Sequence, residues 1–163
     1  MFNRLEMLRL EIDELIMKHQ PENSRYYINH LYGVSEYCAL LAYRRGLNAE
    51  IADVSGMLHD IYQVTAGTTN KHGKKGAKVA KLILENASLV TYTDEEISII
   101  TTAISKHSKK AKIHGPYEEL LKDADVLSHQ FYNTDFPVAK KDRIRLENLL
   151  IELGCKPQNG EIV

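Results

Sequence analysis

The sequence predicts an all-α fold, and three observations carry that prediction. Apolar residues recur at intervals of three and four along several segments, the spacing of one helical face. The prolines Pro21, Pro116, Pro137 and Pro157 fall between those segments rather than inside them, as a residue without an N–H must. No stretch alternates apolar and polar residues cleanly, so the two-residue period of a half-buried strand is missing.

Six to seven helices follow in order. The first runs from about Arg4 to Lys18, with Leu5, Leu8, Ile12 and Leu15 on one stripe. After Gln-Pro-Glu-Asn-Ser, a second extends from about Arg25 to Arg45, its stripe including Val34, Tyr37 and Leu41. Gly46 stands where a left-handed C-terminal cap is wanted. Asn48 can start a third helix reaching Leu58 and His59; the Gly- and Thr-rich stretch 65–73 then reads as a loop. The fourth helix covers about Lys74 to Asn86, with Gly76, Val79, Ala80 and Ile83 along one face. Thr93 followed by Glu96 forms a capping box for a fifth, whose buried face is Ile97, Ile100 and Ile104. A sixth runs from about Tyr117 to Tyr132 and a seventh from about Lys140 to Leu153.

With 163 residues, the chain is long enough for one well-buried core. It is expected to form a single domain over residues 1–163, with a core at about 25–133 and flanking first and last helices. Hydrophobic residues make up 44% and charged residues 26%, ordinary globular usage, and no apolar run approaches the roughly 20 residues that cross a bilayer. The formal net charge of −1 provides no overall field toward nucleic acid or anionic lipid. Two local clusters, Lys71, Lys74, Lys75 and Lys78, and Lys106, Lys109, Lys110 and Lys112, read as solvated helix ends or as contacts to a phosphate. Cys38 and Cys155 are far apart and in no metal-binding pattern; Cys38 reads as a small core residue. The first fifteen residues carry acids throughout and do not read as a signal peptide, so a cytoplasmic setting is expected.

Several polar residues sit where apolar ones belong. His30 lies on the inward stripe of the second helix, four residues before Val34; a lone histidine there is more often a satisfied core residue than a ligand. His59 and Asp60 close the third helix behind the small residues Ala52, Ser55 and Gly56. Small side chains leave room for a ligand or for a closely packed partner helix. A carboxylate such as Asp60 beside a core is costly unless paired, hydrogen-bonded or bound to metal. Asp123 and Asp125 project roughly 200° apart on one helix, so only one of them can face a shared interior site. His107 continues the stripe of the fifth helix inward, and His72 opens the fourth, where unpaired N–H groups favour anions.

The order of His30, then His59-Asp60 in Gly-Met-Leu-His-Asp-Ile (56–61), then Asp125 in Asp-Ala-Asp-Val-Leu (123–127) resembles the HD-domain superfamily of metal-dependent phosphohydrolases. His72, Gly76, Ala77 and the Ile-Ser-Lys-His-Ser run ending at Ser108 are family-like as well. The resemblance implies one ion on His30, His59, Asp60 and Asp125, the match at Ala124 selecting Asp125 over Asp123. Such a nitrogen–oxygen set favours Mn²⁺, Fe²⁺, Co²⁺ or Ni²⁺ over Mg²⁺ or Zn²⁺. His72 and His107 would complete a second ion bridged by Asp60, contact phosphate directly, or serve structure alone. The implied reaction is hydrolysis of a small phosphate ester, such as a nucleotide, by a metal-activated water, with Asp60 and His107 as catalytic residues and no polymeric nucleic acid or membrane as partner.

One position departs from the family. Where many relatives continue His-Asp-Ile-Gly-Lys, this chain has Tyr62 and Gln63. Phosphate recognition then passes to other cations, with Lys71, Lys75, Lys106 and Lys109 the candidates. The same departure keeps open a non-catalytic helical regulatory module that binds metal or nucleotide, beside a di-iron oxygenase and a plain helical bundle. Substrate identity and oligomeric state are not readable from the residues.

Overall fold

In a computed structural model, which describes residues 3–87, 90–134 and 138–155, the chain is helical throughout and no strand occurs among the described residues. The α-helices are α1 (Arg4–His19), α2 (Ser24–Arg45), α3 (Ala49–Leu58), α4 (Ile61–Ala66), α5 (His72–Asn86), α6 (Asp94–Lys106), α7 (Pro116–Tyr132) and α8 (Arg143–Glu152). Single 3-10 turns at Pro21–Asn23 and Lys140–Asp142 lead into α2 and α8.

Local capping chemistry sets most of the boundaries. The Asn48 side chain accepts from the N–H groups of Glu50 and Ile51. The Thr93–Glu96 box closes in both directions at the start of α6. Gly46 ends α2 with φ +68°, a conformation that costs glycine nothing, and Pro116 occupies the first turn of α7, where its missing N–H is harmless. Pro137 and Pro157 lie outside the described residues.

Three details differ from the sequence reading. α4 arises within the stretch between His59 and the expected loop, because Ile61 and Val64 are both fully buried and a single helical turn satisfies the backbone there. α5 begins at His72 instead of Lys74, after Lys71 in the left-handed region at φ +54°. The last segment opens as a 3-10 turn and becomes α-helical only at Arg143.

α2 packs against both α3 and α7, while α5 lies along α6. α1 belongs to the core: Leu8, Ile12 and Ile16 are essentially inaccessible to solvent, with Leu5 and Leu15 half-buried beside them. Between α2 and α3 the backbones come close. A Cβ on Gly56 would lie 2.6 Å from Ser35 Cα and 2.7 Å from Ser35 N. The small residues before His59 therefore admit a partner helix at close range. This approach brings the end of α3 up to His30 on α2.

Candidate metal centre

Five elements converge on one buried cluster. His30 projects from α2 on the face of Val34 and Cys38, all three buried. His59 caps α3 and Asp60 follows in the link to α4. His72 is the first residue of α5, His107 caps α6 behind Ile97, Ile100 and Ile104, and Asp125 comes from the middle of α7. His59 is 0% exposed and His107 2%.

Three of the four imidazoles are held in the same way. Nδ1 of His59 lies 2.7 Å from the Gly56 carbonyl, that of His107 2.7 Å from Ile104 O, and that of His72 2.8 Å from Thr69 O. A carbonyl only accepts, so each ring carries its proton on Nδ1 and turns the Nε2 lone pair inward. On His72 and His107 two such lone pairs face each other, Nε2 to Nε2 at 3.1 Å, and Nε2 of His59 meets Nε2 of His30 at 3.2 Å. Two lone pairs at that distance repel unless a proton or a cation lies between them. Neighbouring ligands each about 2.1 Å from one ion stand about 3 Å apart, so the donor set fits a divalent metal.

Asp60 lies between the two pairs. Its Oδ2 is 3.6 Å from His30 Nε2 and 3.4 Å from His59 Nε2, while Oδ1 is 3.6 Å from His72 Nε2 and 3.4 Å from His107 Nε2. Asp125 approaches the first pair, Oδ1 lying 3.8 Å from His30 Nε2. Asp60 Oδ1 and Asp125 Oδ1 are buried and make no hydrogen bond among the described residues, a costly state for a carboxylate oxygen and one that a cation relieves. Two groups, His30 with His59 and Asp125, and His59 with Asp60 and His107, each offer ligand atoms within 4.8 Å of one another.

The electrostatics point the same way. Burial works against ionising Asp60, yet His59, His107 and His30 hold its carboxyl well below the usual range. Asp125 is likewise depressed against burial, by His129, Lys110 and His59. Burial also opposes charge on His59, but Asp60 and Asp125 outweigh it and raise that imidazole to about 9. Both carboxylates thus stay charged and draw positive charge into the cluster.

The structure brings together His30, His59, Asp60, His72, His107 and Asp125. Asp123 faces elsewhere and pairs with Arg45 and Arg145. The four lysines expected at the phosphate do not enter the cavity. Lys75 donates to Tyr62 Oη at 2.9 Å and lies over that ring, held by the tyrosine that stands where relatives have glycine. Lys71 and Lys109 are exposed, and Lys106 does not line the cavity either. Repulsion from Lys106, then desolvation and repulsion from Lys74 and Lys112, lower the Lys109 pKa; these cations form a surface patch beside the site.

Two residues beside the cluster were not singled out by the sequence reading, which had His129 nowhere and Lys110 only as a member of a lysine cluster. Lys110 Nζ is 2.7 Å from Asp125 Oδ2, and His129 Nε2 is 3.3 Å from Asp125 Oδ1. His129 carries a readable signal, four residues after Asp125 on one helix face. Lys110 carries none, being one lysine of a cluster. Above these candidate ligand atoms opens a cavity of about 340 Å³ lined by residues that include Tyr26, Gln63, Ser108, Lys110 and Lys141.

A helical fold whose successive helices bring together histidine and aspartate side chains able to hold a cation is the arrangement of a class of metal-binding α-helical proteins. Within it, the model of the HD domain matches residues 27–129, and the chain belongs to this family, the HD superfamily of metal-dependent phosphohydrolases. Comparisons with curated proteins and with solved structures gave no match. No helix among the described residues is long and apolar enough to cross a membrane.

Proposed function

We propose that the chain hydrolyses a small phosphate ester, with two divalent ions held by histidine pairs that share Asp60. The observation that carries this reading is the division of Asp60: each carboxylate oxygen faces a different pair of imidazole Nε2 atoms. His30, His59, Asp60 and Asp125 would hold one ion, and Asp60, His72 and His107 the other. The donor set of four imidazoles and two carboxylates suits Mn²⁺, Fe²⁺, Co²⁺ or Ni²⁺. Bound there, such ions supply a nucleophilic water at neutral pH and neutralise charge on the phosphoryl oxygens.

The chain's own residues prepare the site for that chemistry. The Nδ1–H bonds of His59, His72 and His107 to carbonyls lock the rings before a ligand arrives, which limits reorganisation during reaction. With both oxygens given to ions, Asp60 would hold the two together rather than accept a proton as in a single-ion site, and His107 would act as a ligand. The cations Lys110 and Lys141 line the cavity and favour an anion there. The exposed cations around Lys109 add a local positive field that draws anions toward it.

Elemental analysis together with a panel of phosphate esters tests the reading. About two equivalents of metal are expected in the wild type, with one class of site lost in Asp125→Ala, the other in His107→Ala and both in Asp60→Ala. An Asp60→Asn variant that kept full metal content and activity would refute the bridge. A second reading rests on Gln63, a neutral amide lining the cavity where relatives place a cation: a regulatory module that binds metal and ester without turnover. Stoichiometric metal with no hydrolysis of any ester on the panel would select it.

A further inference from the structure

The cavity over the candidate ligands adjoins a second one of about 480 Å³, and Lys110, His129 and Lys141 belong to both walls. Gln130 and Asp142 line the second cavity as well. Gln130 Oε1 and Asp142 Oδ1 are buried and have no hydrogen-bond partner among the described residues. Of the five side-chain atoms in that state among the described residues, two belong to Asp60 and Asp125 in the wall of the first cavity and two to this pair in the wall of the second. Only Tyr92 Oη lies apart. At Asp60 and Asp125 the unpaired oxygens mark a place for a cation; at Gln130 and Asp142 they ask for hydrogen-bond donors.

Asp142 is the more telling of the two. It stands at the N-cap of α8, where an aspartate ordinarily accepts from the second or third backbone N–H, yet its side chain makes no such bond. It is also only 8% exposed. A carboxylate oxygen withdrawn from water without a donor costs about 1–3 kcal/mol or more, and no contact among the described residues offsets that cost. Gln130 lies one turn after Val126 on α7. Both side chains end in a torsion with a broad minimum, so a turn about that last bond presents either oxygen to a ligand in the cavity they line. Both residues follow position 129, where the match to the family model ends, so this pair belongs to the chain's own last segment.

Two acceptors in one wall, one of them a carboxylate, suit a group that carries several donors and a positive charge. A primary ammonium offers three N–H donors where a hydroxyl offers one, and a bond from it to a carboxylate is charge-assisted. Of the two lysines in the same wall, Lys110 is engaged by Asp125 Oδ2 at 2.7 Å and Lys141 is exposed. We propose that the 480 Å³ cavity is a subsite for a primary amino group on the organic part of the substrate, received by Asp142 and Gln130. The subsite rests on the phosphohydrolase reading above and adds to it the two residues that select the leaving alcohol.

Calorimetry on the metal-loaded protein tests this without turnover, comparing aminoalkylphosphonates with the alkylphosphonates in which a methyl group replaces the ammonium, over a series of chain lengths. At the length that spans the two cavities, the amino compound is expected to bind roughly 10- to 100-fold more tightly, the range of a hydrogen bond to a charged group. Asp142→Ala and Gln130→Met should each reduce that ratio while leaving metal content and the affinity for the alkyl compound unchanged. Neither should lower the melting temperature, because an acceptor without a donor contributes no bond to the fold, whereas the loss of a capping aspartate would cost about 1 kcal/mol. Equal affinities in the wild type at every length would overturn the subsite, as would a ratio that survives both substitutions or the failure of both compounds to bind. Hydrolysis of p-nitrophenyl phosphate, which has no amino group, reports the underlying reading separately. Its absence beside selective binding of the amine would refute the phosphohydrolase alone, and its presence beside equal affinities would refute the subsite alone.

Discussion

Substituting Gly56 by alanine perturbs the fold and the metal cluster through one contact. The added Cβ would meet Ser35 Cα at 2.6 Å and Ser35 N at 2.7 Å, against about 3.5 Å for relaxed contact. Both neighbours are backbone atoms, so no rotamer change relieves the overlap and α3 must retreat from α2 by about 1 Å. Overpacking of this kind costs about 1–3 kcal/mol. At roughly 2–4 °C per kcal/mol for a chain of this size, the melting temperature should fall by roughly 2–12 °C. The same displacement separates His30 on α2 from His59 at the end of α3, whose Nε2 atoms now lie 3.2 Å apart. Because metal–ligand distances tolerate only about 0.2 Å, affinity for the ion on that pair should drop by roughly tenfold or more. Thermal melts in chelator, followed by competition titrations of Mn²⁺ or Co²⁺, measure the two effects separately. A variant with wild-type melting temperature and wild-type affinity would refute both the close helix approach and its role in placing the ligands.

Asp123→Asn and Asp125→Asn should behave oppositely despite lying two residues apart: the first loses its pairs with Arg45 and Arg145 and some stability but keeps its metal, the second loses metal, as elemental analysis would report. Lys122→Met removes the donor to the Lys112 carbonyl and leaves Glu119 with Arg145 as its remaining cationic partner, and should cost about 1–3 kcal/mol in urea denaturation; a loss within error would contradict the contribution of this buried ammonium. Glu96 is held below the usual carboxylate range chiefly by its hydrogen bond to Arg4, with the Thr93 cap assisting against burial. Its folded value being depressed, its stabilising contribution is complete above the unfolded value of about 4.3 and disappears as pH falls through the folded one. Glu96→Gln should therefore flatten the acid limb of a stability–pH curve while leaving a deficit at neutral pH, and an unchanged limb would contradict the pairing.

Much of the fold was legible because its signals are short-range. The Thr93–Glu96 box, Asn48, Gly46 and Pro116 each act within one turn of their own helix, and the Ile97, Ile100 and Ile104 stripe aims His107 inward whatever it packs against. α4 was not legible, since six residues hold too few apolar positions to display a period and Ile61 and Val64 are drawn in by tertiary burial. Among the candidate ligands, residue type and position singled out His30, His59, Asp60, His72 and His107 only weakly one by one; the resemblance to the HD superfamily assembled them into a set and selected Asp125 over Asp123. Helical phase also required that only one of Asp123 and Asp125 could enter a shared interior, and Asp125 does so in the structure.

The sequence by itself thus determined the helices, their inward faces and the chemical kinds of side chain those faces carry, because propensity, capping and periodicity act over a few residues. Only the tertiary structure decided that Asp60 turns one oxygen to His30 and His59 and the other to His72 and His107, since these groups come from separate helices. It decided equally that Lys110, and not Lys75 or Lys109, reaches the site. That lysine's place depends on Arg145 gripping its carbonyl from α8 and on Lys122 gripping Lys112 from α7, contacts between segments whose separation along the chain leaves no local pattern to read.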